Sequence, residues 1–340
     1  MKKYHVQDAV GLKLCRDVTA VINGASVVLF HRGHEVAKED VARMLACGNQ
    51  TVYVFDRFSA GEIHEDDAAV RLAEAIPVEG AHYEGPSAGV VTLYADRDGM
   101  FRVNRELLTE LNSVRDFAVA SLPDHYPVRA GMKLATIRSV ALITQNAQLT
   151  KAETVCRGLP LFRLLPYEQK NAAIIITGSE IFHGRVQDRF AAIAQTKLAD
   201  FPCSILGTTV CDDDPEMITA AINSFVNAGA DLILLSGGMG VDPDDMTPAA
   251  IRALDARVIT NGLPLDPGRM SLVAYLDKIV LLGVSSDALA MPASPLDVLL
   301  PQIFTGTKFT AEELRRLGDG GLCQNCPEGC RYPNCSYGKY

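Results

Sequence analysis

From residue 172 onward the chain repeats one pattern: a short apolar run, a loop of small and acidic residues, then a segment with apolar residues at helical spacing. The runs are AAIIIT at 172–177, SILGTTV at 204–210, LILL at 232–235 and KIVLL at 278–282. Between them, Phe190, Ile193, Ala194 and Leu198 recur three and four residues apart, as do Ile218, Ala221, Ile222 and Phe225 after Asp214 and Pro215. Further helices are predicted from Thr247, through residues 270–276 and from near Pro295. Apolar runs without alternation are strands buried on both faces, and strands that alternate with amphipathic helices form a parallel sheet with helices packed on both sides. The expected fold class is α/β, a three-layer, doubly wound, mostly parallel sheet. Ligands of such sheets bind beyond the carboxyl ends of the strands, which makes the four loops there the candidate site.

Those loops carry a consistent chemistry. The first is Thr177-Gly178-Ser179-Glu180, with Asp188 further on; the second is Asp212-Asp213-Asp214. The third, Ser236-Gly237-Gly238-Met239-Gly240, runs into Asp242, Asp244 and Asp245 and then into Thr247 and Pro248, placed as the cap and first residue of a helix. The fourth is Gly283-Val284-Ser285-Ser286-Asp287. Glycines let a backbone approach a ligand closely and turn its amides into an anion nest, while carboxylates offer hard oxygen donors to magnesium. Phosphate chemistry uses both. A glycine turn alone serves a tight bend equally well, and Asp214 alone would satisfy a helix cap. The spacing matches neither the dinucleotide fingerprint nor the P-loop.

Residues 236–248 resemble the signature of the molybdopterin-binding domain of molybdenum cofactor biosynthesis proteins, in which a Gly-Gly turn is followed by an Asp and a Thr-Pro helix start. The Thr-Gly-Ser-Glu loop and the Asp-rich loop resemble their counterparts there, and Pro267-Gly268-Arg269-Met270 is similar to the family's Pro-Gly-x-Met turn. The resemblance covers 172–306. It implies a pterin ligand with a dithiolene and a terminal phosphate, held by backbone amides and a magnesium ion. It assigns transfer chemistry to Asp245, Asp213 and Asp242, and ligand contacts to Thr177, Gly178, Ser179, Glu180, Asp188, Ser236, Gly237, Gly238, Met239, Gly240, Asp244, Thr247, Gly268, Ser285 and Ser286. The implied activity is of molybdotransferase type: binding of molybdopterin or its adenylylated form and magnesium-assisted molybdate insertion. The alternatives are a carrier or sensor without turnover, or a nucleotide pyrophosphatase on the same domain. A homo-oligomer, dimer or trimer, and a molybdoenzyme or biosynthetic partner are also implied. One departure stands out. The family usually carries Gly-x-Pro-Gly after the last strand, where this chain has serines and Asp287, which adds negative charge that Arg269 could compensate.

The remaining sequence divides at residues 78, 168 and 310. Residues 1–78 are an α+β region, with a short helix at 39–47 ended by Gly48, and around Arg32-Gly33-His34 they resemble the N-terminal region of a bacterial group of molybdopterin-binding proteins. Residues 79–168 read as a mostly β accessory domain, with a hairpin turning at Asp96-Arg97-Asp98-Gly99 and a proline-punctuated linker at 159–167; residues 169–310 form the α/β domain. A net charge of −9 and the lack of a dense Lys/Arg run exclude a nucleic acid as partner, though not a small anion. No stretch approaches the ~18 apolar residues of a membrane span, and the start lacks the apolar core of a secretory signal, so a cytoplasmic protein is expected. The nine cysteines include four in the tail, 311–340: Cys323, Cys326, Cys330 and Cys335, separated by two, three and four residues. Four thiolates in so short a segment can wrap one tetrahedral zinc or an iron–sulfur cluster, which spacing does not separate; the alternative is a free-thiol, redox-active tail.

Overall fold

The computed structural model describes residues 2–22, 24–55 and 60–339. Its largest sheet has six strands in the order Cys203–Cys211, Lys170–Thr177, Leu232–Ser236, Ile279–Val284, Leu272–Leu276, Arg257–Asn261. The first four are mutually parallel, Leu272–Leu276 runs antiparallel to both its neighbours, and Arg257–Asn261 at the edge again runs in the direction of the first four. Along the central strand the side chains sort by parity, as a pleated strand requires. Leu232 and Leu234 join Phe190, Leu198, Leu296 and Leu300 on one face, while Ile233 and Leu235 join Ile218, Ile222, Ala250 and Ile251 on the other. The helices Phe190–Leu198 and Pro295–Phe304 therefore form one outer layer, and Pro215–Asn227 and Thr247–Ala253 the opposite one. The three-layer, mostly parallel sheet is the architecture expected.

One expectation within this sheet fails. Residues 270–276 do not form a helix: Leu272–Leu276 is a strand, turned back onto Ile279–Val284 through Asp277, whose φ is +54°. Five consecutive apolar residues offer both faces for burial, and here both are taken. Arg257–Asn261, too polar to read as a strand, pairs with it at the sheet edge.

Upstream lie two smaller cores. Val6, Leu14, Phe30, Met44, Val52 and Val54 pack together under the helix Lys38–Ala46. The second core joins a four-stranded antiparallel sheet (Ala81–Ser87, Val90–Ala95, Lys133–Ser139, Phe117–Ser121) to a three-stranded one (Tyr126–Val128, Gly99–Val103, Phe162–Pro166). The expected hairpin across Asp96 to Gly99 is therefore not formed, because Val90–Ala95 and Gly99–Val103 lie in different sheets with different partners. Nor is 159–167 wholly a linker: Phe162–Pro166 is an edge strand, where a terminal proline breaks no ladder it would need. The helix Glu65–Glu74 buries Ala68, Ala69 and Leu72 in this second core.

The tail begins with the helix Ala311–Arg316, held by a capping box between Thr310 and Glu313. It then folds back onto the first outer layer of the α/β domain, where Tyr337 is 1% exposed. Among the described residues no helix is long and apolar enough to cross a membrane.

Candidate functional site at the carboxyl edge of the sheet

Register places the ends of the parallel strands side by side: Thr177 opposite Cys211, Ile176 opposite Ser236, and Ser236 opposite Val284. Ser236 Oγ donates to the Val284 carbonyl at 3.1 Å, binding the third and fourth loops together at their roots. The chain then turns at Gly237 with φ +102°, where a Cβ would sit 1.8 Å from the Thr177 carbonyl oxygen. Only glycine tolerates that approach. Thr177 and Thr247, both buried, lie hydroxyl to hydroxyl at 2.9 Å, and Thr247 Oγ1 donates onward to the Gly237 carbonyl at 2.9 Å. Thr247 is thus not the helix cap that its position suggests. It is the first residue of Thr247–Ala253, and its hydroxyl ties the glycine turn to the first strand. At Gly238 a Cβ would meet Thr247 Oγ1 at 3.1 Å, pointing into this clamp and not outward.

Outside the clamp opens a cavity of about 500 Å³, within the range of small-molecule sites. One wall is the backbone of Gly237 to Gly240 with Asp242 and Asp245; the other is Arg269, Met270, Ser285, Ser286 and Asp287. The acidic turn closes on itself, since Asp245 Oδ2 accepts from the Asp242 amide at 2.9 Å and the Asp245 amide donates to the Asp242 carbonyl at 3.0 Å. A Cβ on Gly240 would fall 2.5 Å from that same Asp245 Oδ2. Met239 is buried and lies over Gly283, where a Cβ would come within 2.5 Å of its Cε.

The opposite wall is organised by Asp287. Its Oδ2 accepts from the Gly268 amide at 2.9 Å. Burial pushes this carboxyl up, but bonds from the Gly268 amide, Ser285 and the Ala288 and Arg269 amides outweigh it and leave it below the ordinary aspartate value. Ser285 is buried, its amide and hydroxyl each 3.3 Å from Ser271 Oγ, so Ser286 is the exposed serine of the loop. Arg269 is exposed, with its Nε 4.0 Å from Asp266. Three carboxylates and one guanidinium thus line this cavity.

The other expected residues are placed around it. Asp213 Oδ2 accepts from the Ser179 amide at 2.8 Å, fastening the first loop, with Gly178 and the exposed Glu180, to the second. Asp214 caps Pro215–Asn227 through the Glu216 amide. Asp188 accepts from the Phe190 and Ala191 amides at 2.9 Å each, so its carboxylate starts a helix. Asp244 is exposed on the rim turn and Gly268 is buried behind Arg269. Met270 is a wall residue that the sequence reading did not mark; its only signal was its place in the Pro-Gly-x-Met turn.

Residues 173–301 match the family described as probable molybdopterin binding domain. Over these residues, less than half of the chain, it is similar to the molybdopterin-binding family. Residues 3–56 match a separate domain of unknown function (DUF8806). A CinA-like protein of Mycobacterium tuberculosis (strain ATCC 25177 / H37Ra) is 41% identical over 107 residues, which is 32% of this chain and 24% of that protein. A CinA-like protein of Mycolicibacterium gilvum (strain PYR-GCK) is 36% identical over 97 residues, 28% of this chain and 22% of that protein. The chain thus spans about a quarter of the length of these curated relatives. Among solved structures, the tungsten cofactor synthesizing protein MoaB from Pyrococcus furiosus aligns over 40% of this chain and 94% of that chain, with 14% identity and a TM-score of 0.35. The protein CinA, of unknown function, from Thermoplasma acidophilum aligns over 40% and 98%, with 21% identity and a TM-score of 0.33.

The tail cysteines lie apart from the cavity at the carboxyl edge of the sheet. Cys323, Cys326, Cys330 and Cys335 all line one separate cavity. Among the described residues no three His, Cys, Asp or Glu side chains form a group fit for a metal ion, so the four thiols are not drawn together as a single zinc would draw them.

Proposed function

We propose that the chain binds molybdopterin, or its adenylylated form, in the cavity between the 237–245 loop and the 268–287 wall, and assists magnesium-dependent molybdate insertion in molybdenum cofactor biosynthesis. The observation that carries this reading is the mismatch of charge in a cavity built with a glycine backbone: three carboxylates against one guanidinium. Such a wall repels a phosphate unless a divalent cation stands between them. Magnesium is held in that manner, by one or two carboxylates together with substrate phosphates. Asp242, exposed, and Asp245, half-buried, are the donors that fit; the ion would supply charge neutralisation and polarise a bound oxygen. The Gly238 to Gly240 backbone and Arg269 hold the anionic end of the pterin, and Ser286 faces it. Asp213 acts by holding the Gly178 to Glu180 loop in place through Ser179.

The test is retention of purified molybdopterin by the chain with and without magnesium, followed by molybdate addition and assay of the cofactor formed. Magnesium-dependent retention with product supports the transferase reading; no retention under either condition removes it. A carrier without turnover is favoured by one observation, the Asp287 carboxylate seated on the Gly268 amide of the Pro267-Gly268 turn. Retention without product would decide for the carrier.

A further inference from the structure

The tail is fastened at both ends to one turn of the α/β domain. The Asp266 amide donates to the Gly321 carbonyl and the Cys323 amide to the Asp266 carbonyl, each at 2.8 Å. On the return, Tyr337 Oη donates to the Pro267 carbonyl at 2.8 Å and the Gly338 amide to the Gly320 carbonyl at 3.0 Å. Between these anchors Tyr332 Oη donates to the Asp297 carbonyl at 2.7 Å. The segment is thereby held as a closed loop around a cavity of about 120 Å³, and all four of its cysteines line that space.

Three properties of the cavity define its occupant. The donors are all of one kind: no carboxylate and no imidazole lines it, so its ligand set is four soft sulfurs. Met291, Pro292 and Ala293 form an apolar side of the wall, Gln324, Asn325, Ser336 and Tyr337 are uncharged, and among the described residues Arg331 is the single charged side chain, a positive one. Its size is wrong for one ion. A tetrahedral zinc at about 2.3 Å from each sulfur leaves no room for a water-sized sphere, whereas this space is about tenfold larger than the ~10–15 Å³ such a sphere occupies.

We propose that this cavity holds an iron–sulfur cluster ligated by Cys323, Cys326, Cys330 and Cys335. A cluster places its inorganic core between the thiolates, matching four sulfurs set around a volume. Loading is ligand exchange onto a preformed cluster: the four cysteine S–H protons pass to four departing donor thiolates, four donor Fe–S bonds break as four cysteine Fe–S bonds form, and no electron is transferred. A preformed cluster carried on a small-thiol donor supplies the core. The site is independent of pterin binding.

The experiment uses the full chain, purified without oxygen and then incubated with a preformed iron–sulfur cluster carried on a small thiol. Iron, zinc and acid-labile sulfide are measured per chain alongside the visible spectrum. Iron with matching labile sulfide and a broad visible absorption bleached by dithionite are expected. Cys326→Ser and Cys335→Ser should each lose at least half of that iron, while Cys156→Ser, outside the tail, retains it. Hydrogen exchange over 172–284 in each variant separates loss of the site from loss of the fold. One zinc per chain without labile sulfide overturns the proposal, as does the absence of iron after reconstitution, or cluster retention in both tail variants.

Discussion

The phenol of Tyr337 donates a 2.8 Å hydrogen bond to the carbonyl of Pro267. The N–H of that same peptide group is the Gly268 amide, which holds Asp287 in the ligand cavity. Tail and pocket wall therefore share one turn. Burial pushes the Tyr337 phenol far above its usual pKa, so it stays a donor at every working pH. Tyr337→Phe keeps the ring in the core and leaves a buried carbonyl without its partner, which costs about 1–2 kcal/mol. Urea unfolding should show that loss without a change in m-value, and unchanged stability would mean that the bond contributes nothing.

Backbone geometry makes a sharper prediction at the glycine turn. Gly237→Ala places a methyl 1.8 Å from the Thr177 carbonyl at φ +102°, against backbone that cannot yield. A destabilisation of about 3 kcal/mol or more, or loss of soluble protein, is expected. Gly240→Ala meets the Asp245 carboxylate, which can swing, so this variant should fold and instead bind pterin several-fold more weakly. Thermal melts of the two variants in parallel test the contrast, and equal melting points would contradict it.

Asp245→Asn separates charge from shape. The asparagine oxygen can still accept from the Asp242 amide, so the acidic turn persists and apo stability should change by less than about 1 kcal/mol. Magnesium-dependent pterin retention should fall at least tenfold, because a hard cation loses a charged donor. Calorimetric titration with and without magnesium reads this directly. Unchanged magnesium dependence would move the ion to other residues.

What the sequence reveals, and what it hides, follows from the range of the interactions involved. The parallel strands and the helices Phe190–Leu198 and Pro215–Asn227 are legible because two-sided burial and helical periodicity are written locally. Leu272–Leu276 is hidden because five apolar residues carry no period, and its pairing depends on the turn at Asp277. Phe162–Pro166 is hidden because its partner, Gly99–Val103, lies some sixty residues away. Within the site, the glycine loop and Asp242 and Asp245 are legible as chemistry. The Thr177 to Thr247 clamp is not, because a loop threonine looks like a cap until its neighbour across the sheet is known. The same holds for Asp188, whose distance in sequence from the first loop says nothing of the two amides it accepts from.

Asp287 gives the pH dependence and its own control. Its folded-state pKa lies below the ordinary aspartate value, so the unfolded chain binds the proton more readily. The stability it contributes is fully present above the unfolded value of about 3.9 and is lost as pH falls through the lowered folded value. Asp287→Asn should therefore destabilise the protein at neutral pH and flatten the acid limb of its stability curve below about pH 4. The same substitution removes one of the three carboxylates that line the cavity with Arg269 and loosens the hold on the Gly268 amide. Affinity for the phosphate-bearing pterin should rise about three- to tenfold without added magnesium, on the order of 1 kcal/mol for removing one like charge near a partly exposed site. Titration of parent and variant at pH 7 in the absence of magnesium checks this. Weaker binding by the variant would show that Asp287 serves the ligand by bracing the turn and that its charge does not oppose the anion.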